Sequence, residues 1–99
     1  APADAAKQVA AREAAAALHR FKLDETKRYV ERYPNDYGAK FTLGQLFLEA
    51  GDFDSAIGNF QQAQKNPKVR INALLGLGKA FKGKKLFDLS VAGETQVVL

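Results

Sequence analysis

The chain has 99 residues, of which 46% are hydrophobic and 26% are charged, and its formal net charge is +4. This length suits one globular domain, and the absence of cysteine excludes a disulfide framework, a thiolate metal site and a cysteine nucleophile. No apolar run approaches the roughly 20 residues of a membrane span, and the short run Ala14–Leu18 is neither a span nor a secretion signal. The compartment is therefore unknown, with a soluble, cytoplasmic protein as the default expectation.

The N-terminal part, residues 3–33, is predicted to be a helix pair. Residues 3–22 are rich in alanine with interspersed charges, which favours a helix. Leu23-Asp24 indicates a turn with an N-cap, and a short helix over residues 25–33 should follow. That second helix is expected to direct Tyr29, Val30 and Tyr33 inward.

The clearest pattern lies in residues 37–66, which predict two helices joined by a short turn. On the first, Leu43 and Phe47 recur at helical spacing, and Gly44 lies beside them where a side chain would hold a partner helix away. Gly51 followed by Asp52 indicates a helix stop and then an N-cap. The second helix has one apolar face, made by Phe53, Ala56, Ile57, Phe60 and Ala63.

The last part, residues 67–99, is predicted to be another helix pair. Asn66 is expected to cap its first helix, with Pro67 at the first helical position. Gly76 and Gly78 lie within this helix, and we expect close packing against the preceding helix to compensate for their low helix propensity.

The same residue types recur at a fixed interval along the chain. Leu43-Gly44 returns as Leu77-Gly78, Phe47 as Phe81, and Phe53 as Phe87. The interval is the same in each pair and equals the tetratricopeptide period. Residues 43–67, with their Leu-Gly, aromatic, Ala-x3-aromatic and closing Pro, resemble one whole tetratricopeptide (TPR) repeat. The second copy matches less well beyond this point, because Gly51 becomes Lys85, Ala56 becomes Ser90 and Phe60 becomes Glu94. Ile57 and Ala63 still correspond to Val91 and Val97, so a second helix remains the prediction.

The resemblance implies an all-α fold in which antiparallel helix pairs stack as a right-handed superhelix of about six helices. Residues 1–99 would form a single domain: a degenerate pair (3–33), a complete repeat (37–66) and a truncated second repeat (67–99). Such repeats bind other proteins, with the first helix of each pair lining a concave groove. The predicted groove residues are Phe41, Gln45, Leu48, Asn72, Leu75, Lys79 and Lys82. An extended peptide or a partner helix could lie there, and the two lysines would favour an acidic one.

The alternative function is that of an architectural or self-assembly segment of a larger multi-repeat protein. The C-terminal residues Val91, Val97, Val98 and Leu99 would lie on a terminal helix without a polar cap. The start at Ala1 without a methionine suggests a piece of a longer protein, in which a further repeat would cover this edge. In this fragment, a homodimer through the edge is the corresponding prediction.

Enzymatic and cofactor functions are not expected. His19 is the single histidine and lacks a second ligand at metal-site spacing, so a solvated helix residue is the prediction. Gly76-Leu77-Gly78-Lys79 resembles a phosphate loop, but its N–H groups should be engaged within a helix. The aromatic residues mostly occupy core-facing positions, which argues against stacking on nucleic acid bases.

Overall fold

The computed structural model describes residues 2–98 of the chain, with side chains over residues 5–91. This part of the chain forms four α-helices: α1 (Pro2–Arg32), α2 (Tyr37–Glu49), α3 (Phe53–Ala63) and α4 (Arg70–Val98). Helix α2 packs against α1 and α3, and α3 packs against α4. The all-helical fold agrees with the prediction, whereas the expected count of about six helices is wrong. Each predicted terminal pair is one continuous helix.

The chain reverses sharply between α2 and α3 because Gly51 and Asp52 supply the chemistry of a turn. Gly51 has φ = 80°, a left-handed conformation that glycine adopts readily. No other residue in the described part of the chain has a positive φ. The Asp52 N–H then donates to the Phe47 carbonyl oxygen at 3.0 Å. The Asp52 carboxylate accepts from the Ser55 N–H at 3.2 Å and so caps α3.

Helix α4 continues through the position of the predicted turn because that chemistry is missing there. Lys85 and Leu86 stand where the central repeat has Gly51 and Asp52. A left-handed conformation costs a residue with a side chain about 1–2 kcal/mol, and leucine cannot cap a helix. The helical conformation therefore persists from Arg70 to Val98.

Helix α1 is continuous for the same reason, and the turn predicted at Leu23-Asp24 is wrong. Aligning Leu23 with Phe53 of the central repeat places Phe21 at the stop position and Lys22 at the cap position. Neither residue favours a reversal. Leu23 instead belongs to a half-buried stripe along the helix that also includes Thr26 and Val30.

The two tyrosines of α1 are less buried than expected. Tyr29 is 45% exposed and Tyr33 is 47% exposed, so only Val30 of the predicted inward set is half-buried. The Tyr29 hydroxyl donates to the Asp36 carboxylate at 2.8 Å, which holds it at the rim of the α1–α2 junction. A phenol is stable there because its hydroxyl keeps a partner and access to water.

The start of α4 also differs from the prediction. The Asn66 side-chain oxygen accepts from the Lys68 N–H at 3.0 Å, which closes a turn around Pro67. The helix begins only at Arg70, so Pro67 lies in the connection and not at the first helical position.

The core is centred on Phe60 of α3, whose side chain is fully buried. A Cβ atom built on Gly44 would lie 2.8 Å from the Phe60 ring, and one on Gly76 would lie 2.6 Å from it. The ring therefore fills the space that these two glycines leave on α2 and α4. The close packing predicted at Gly44 and Gly76 is confirmed, but at Gly78 it is wrong, because no described neighbour comes within 4 Å of a Cβ there.

Candidate functional site

An open groove runs between α2 and α4 beside Phe60. It encloses about 310 Å³ and is lined by Phe41, Gln45, Leu48, Phe60, Asn72, Leu75, Gly76 and Lys79. Helix α2 contributes the first three of these residues, and α4 contributes the last four, all at helical spacing. The groove thus joins two helices that occupy equivalent places in successive repeats.

Phe60 determines how close the two walls of the groove can come. Its ring lies against Gly44 of α2 and Gly76 of α4, and its centroid is 5.7 Å from that of Phe41 at an angle of 51°. Phe41 and Leu48 pack against the core around this ring, which limits their motion. The apolar part of the groove is therefore supported by the best-packed part of the protein.

The polar groups of the groove are few and can orient a ligand. Gln45 and Asn72 each carry an amide that can both donate and accept hydrogen bonds. Lys79 is exposed, and the other residues that line the groove carry no charge. A ligand in this groove would meet one positive charge and no carboxylate from the lining residues.

The structure brings together all of the predicted groove residues except Lys82. Lys82 follows Lys79 by almost one helical turn and is not among the residues that line the groove. Sequence analysis missed Gly76 and Phe60 as lining residues. Both line the groove because they contact each other. The Phe60 ring reaches the groove where Gly76 of α4 has no side chain to block it.

Two contacts between a basic side chain and a carboxylate lie outside the groove. His19 Nε2 is 3.1 Å from a carboxylate oxygen of Glu49, which links α1 to the end of α2. Among the described residues, no group of three or more His, Asp or Glu side chains could hold a metal ion. Lys84 donates to the Asp54 carboxylate at 2.7 Å, and this hydrogen bond raises the pKa of Lys84 above its usual value.

The junction of α1 and α2 contains a hydrogen-bonded carboxylate. Asp36 caps α2 by accepting from the Ala39 N–H at 3.0 Å, and it also accepts from the Tyr29 hydroxyl. The Ala39 bond, and then the Tyr29 bond, hold the pKa of Asp36 below its usual value. The same contact with Asp36 raises the pKa of Tyr29. These bonds link α1 to the first turn of α2.

The family model of the tetratricopeptide repeat matches residues 2–70 and, in an overlapping second match, residues 41–91. The chain belongs to the tetratricopeptide repeat family. Repeats of this family generally mediate protein–protein interactions, and they are not themselves catalytic. Comparisons with curated proteins and with solved structures give no significant match.

Proposed function

We propose that this TPR protein binds an extended peptide or a helix of another protein in the groove between α2 and α4. The observation that carries the proposal is the convergence of apolar and amide side chains from two successive repeats on one open groove. In a right-handed superhelix of helix pairs, these two helices would line the concave side. Phe41, Leu48 and Leu75 supply apolar contacts, and Gln45 and Asn72 supply hydrogen bonds that orient the ligand.

An acidic ligand is favoured over a basic one. Lys79 is exposed at the groove, and the lining residues include no carboxylate that would neutralise it. Attraction between exposed charges is modest and is screened by salt, so Lys79 contributes a preference and not the main part of the affinity. Lys82 does not line the groove, although it adds to the positive potential nearby.

The test uses a peptide array that contains acidic, neutral and basic sequences, followed by fluorescence anisotropy on the peptides that bind. Leu75→Glu and Lys79→Glu change two exposed groove positions, so both variants should fold. Leu18→Glu and Lys27→Glu are the matched controls, because they make the same changes at exposed positions of α1.

We expect Leu75→Glu to weaken binding about tenfold or more, Lys79→Glu to weaken the binding of acidic peptides by a smaller factor, and the α1 variants to leave binding unchanged. If the Leu75→Glu and Leu18→Glu variants bind the same peptides equally well, the groove is not the binding site. A preference for basic peptides would contradict the assignment of Lys79.

Self-assembly is a second candidate function, favoured by the exposed apolar residues Leu86, Phe87 and Leu89 near the end of α4. The side chains of Val97, Val98 and Leu99, on which the predicted homodimer edge also depended, lie outside the described residues. Light scattering behind a sizing column tests this function on the wild type and on a Phe87→Asp, Leu89→Asp variant. A dimer that the variant abolishes would support assembly, and a monomeric wild type would exclude it at the concentrations measured.

No helix in the described part of the chain combines the length and the hydropathy needed to cross a bilayer.

A further inference from the structure

A second surface of α4 lies on the side opposite α3 and borders the groove, because Lys82 follows Leu75 by seven residues and lies within about 20° of it around the helix. We call it the outer face of α4, and it consists of Leu74, Gly78, Phe81, Lys82 and Lys85. These residues recur at intervals of three and four, so they share one side of the helix. Leu74 is 51% exposed and Phe81 is 52% exposed. The fully buried residues Ala73 and Ala80 occupy the opposite side of α4, which packs on α3.

The chain contains its own example of how such a face is covered. Gly44 and Phe47 of α2 are the counterparts of Gly78 and Phe81 in the internal repeat. On α2, helix α3 covers the glycine and places the Phe60 ring where a Cβ atom would lie. On α4, no described atom comes within 4 Å of the equivalent Cβ position at Gly78. At Gly78 the outer face therefore has an open notch, at the position where the Phe60 ring packs on Gly44 of α2.

The segment that would cover this notch in a complete repeat cannot reach it. By the internal register, that segment begins at Phe87, and it continues in line with α4 because Lys85 and Leu86 form no turn. A helix that covers this face would therefore come from outside residues 70–98.

The charge of the outer face selects among possible partners. Lys82 and Lys85 lie on it, Lys79 is close by, and all three are exposed. Packing the outer faces of two copies together would bring lysines against lysines, which is unfavourable at short range. A helix with acidic side chains along its edges would pair with them.

We propose that the outer face of α4 binds an amphipathic helix of another protein, which inserts an aromatic side chain at Gly78 and places acidic residues against Lys82 and Lys85. This surface is centred on Gly78, which does not line the groove, and the inference does not depend on the proposed function of the groove.

The probe is a labelled synthetic peptide of residues 52–66 of this chain, because α3 is the helix that covers the equivalent face of α2. The acidic probe carries Asn59→Glu and Gln61→Glu, which place carboxylates on both sides of Phe60. A basic probe carries lysine at the same two positions, and a third probe carries Phe60→Ala in the acidic sequence. Binding of each probe to the intact 99-residue chain is measured by fluorescence anisotropy.

The central protein variant is Gly78→Ala, whose methyl group would occupy the position that the probe's ring needs. It should fold, because the structure has open space at that position. Gly58→Ala is the matched control, since Gly58 is also an exposed helical glycine with open space around its Cβ position, but on α3. The charge variant is Lys82→Glu with Lys85→Glu, and its control is Lys7→Glu with Lys27→Glu on α1.

We expect the acidic probe to bind about tenfold or more tightly than the basic probe and the Phe60→Ala probe. Gly78→Ala should weaken its binding by a similar factor, and Gly58→Ala should not change it. The Lys82 and Lys85 reversal should invert the preference between the acidic and basic probes, while the α1 control retains it.

Three results would overturn the proposal: equal binding to wild type and Gly78→Ala, equal binding of the acidic and basic probes, or a wild-type dimer that Gly78→Ala converts to a monomer. The last would assign the outer face to a second copy of the chain. The Leu75→Glu and Lys79→Glu variants of the groove separate the two sites, because losing binding in the groove should leave the Gly78-dependent difference in place.

Discussion

Replacing Gly76 by alanine should destabilise the protein, whereas the same change at Gly78, two positions along the same helix, should stabilise it. Alanine is preferred over glycine in a helix by about 1 kcal/mol, and both variants gain this term. At Gly78 nothing opposes the gain, because a Cβ atom there meets no described neighbour within 4 Å. We therefore expect the free energy of unfolding of Gly78→Ala to rise by about 1 kcal/mol.

At Gly76 the new methyl group would lie 2.6 Å from the end of the Phe60 ring, so the ring or the helix must move. The ring cannot retreat easily, since a Cβ built on Gly44 would already lie within 2.8 Å of it on the other side. Overpacking of a tight core costs about 1–3 kcal/mol. After the helix-propensity gain, Gly76→Ala should be less stable than wild type by up to about 2 kcal/mol, and less stable than Gly78→Ala by about 1–3 kcal/mol.

Urea denaturation followed by circular dichroism at the helix band measures these differences. A shift in melting temperature of roughly 4–8 °C per kcal/mol provides a second readout for a domain of this size. Since the two variants have the same composition and the same intrinsic helix propensity, their difference reports packing alone. Equal stability of the two variants would refute the assignment of Phe60 to the space at Gly76.

Three further perturbations test the fold. Phe60→Ala should cost about 3–5 kcal/mol in urea denaturation, because the ring is fully buried; a loss below about 1 kcal/mol would contradict its central place in the core. Gly51→Ala should lower the unfolding free energy by about 1–2 kcal/mol, because φ is 80° there, whereas Gly58→Ala, with open space in a helix, should raise it. The Ala39 N–H lowers the pKa of Asp36, so the stability from this ionised carboxylate is present above its unfolded pKa of about 4 and is lost as the pH falls through the folded pKa. Asp36→Asn keeps an N-cap acceptor and should flatten this part of the acid limb; an unchanged pH profile would rule out the contribution.

The central part of the fold could be predicted because its local and long-range signals agree. Gly51 and Asp52 specify the turn, and the apolar periodicity of the two helices specifies which faces meet. The contact between Gly44 and Phe60 follows from the same pattern, since close helix packing requires a small residue opposite a large one. Most of the groove residues could likewise be grouped from helix geometry before the structure was known.

The helix count of the terminal parts could not be predicted from the repeat pattern, because the residues that recur are not the residues that form the turn. Leu77, Gly78, Phe81 and Phe87 match the central repeat, but Lys85 cannot replace Gly51 in a left-handed turn without a cost. The prediction of close packing at Gly78 was wrong for a related reason. The helix expected to pack there requires a chain reversal that does not occur. Turn chemistry is thus a better guide than motif similarity to whether a helix pair forms.

The position of Phe60 has a consequence for how this protein can evolve. One side chain fills the core and also sets the spacing between α2 and α4, because its ring is held between Gly44 and Gly76. A smaller residue would let the walls of the groove approach, and a larger one would force them apart, and either change would lower stability. Groove width is therefore under the same selection as folding, so new ligand preferences can arise far more readily at the exposed positions Gln45, Asn72 and Lys79.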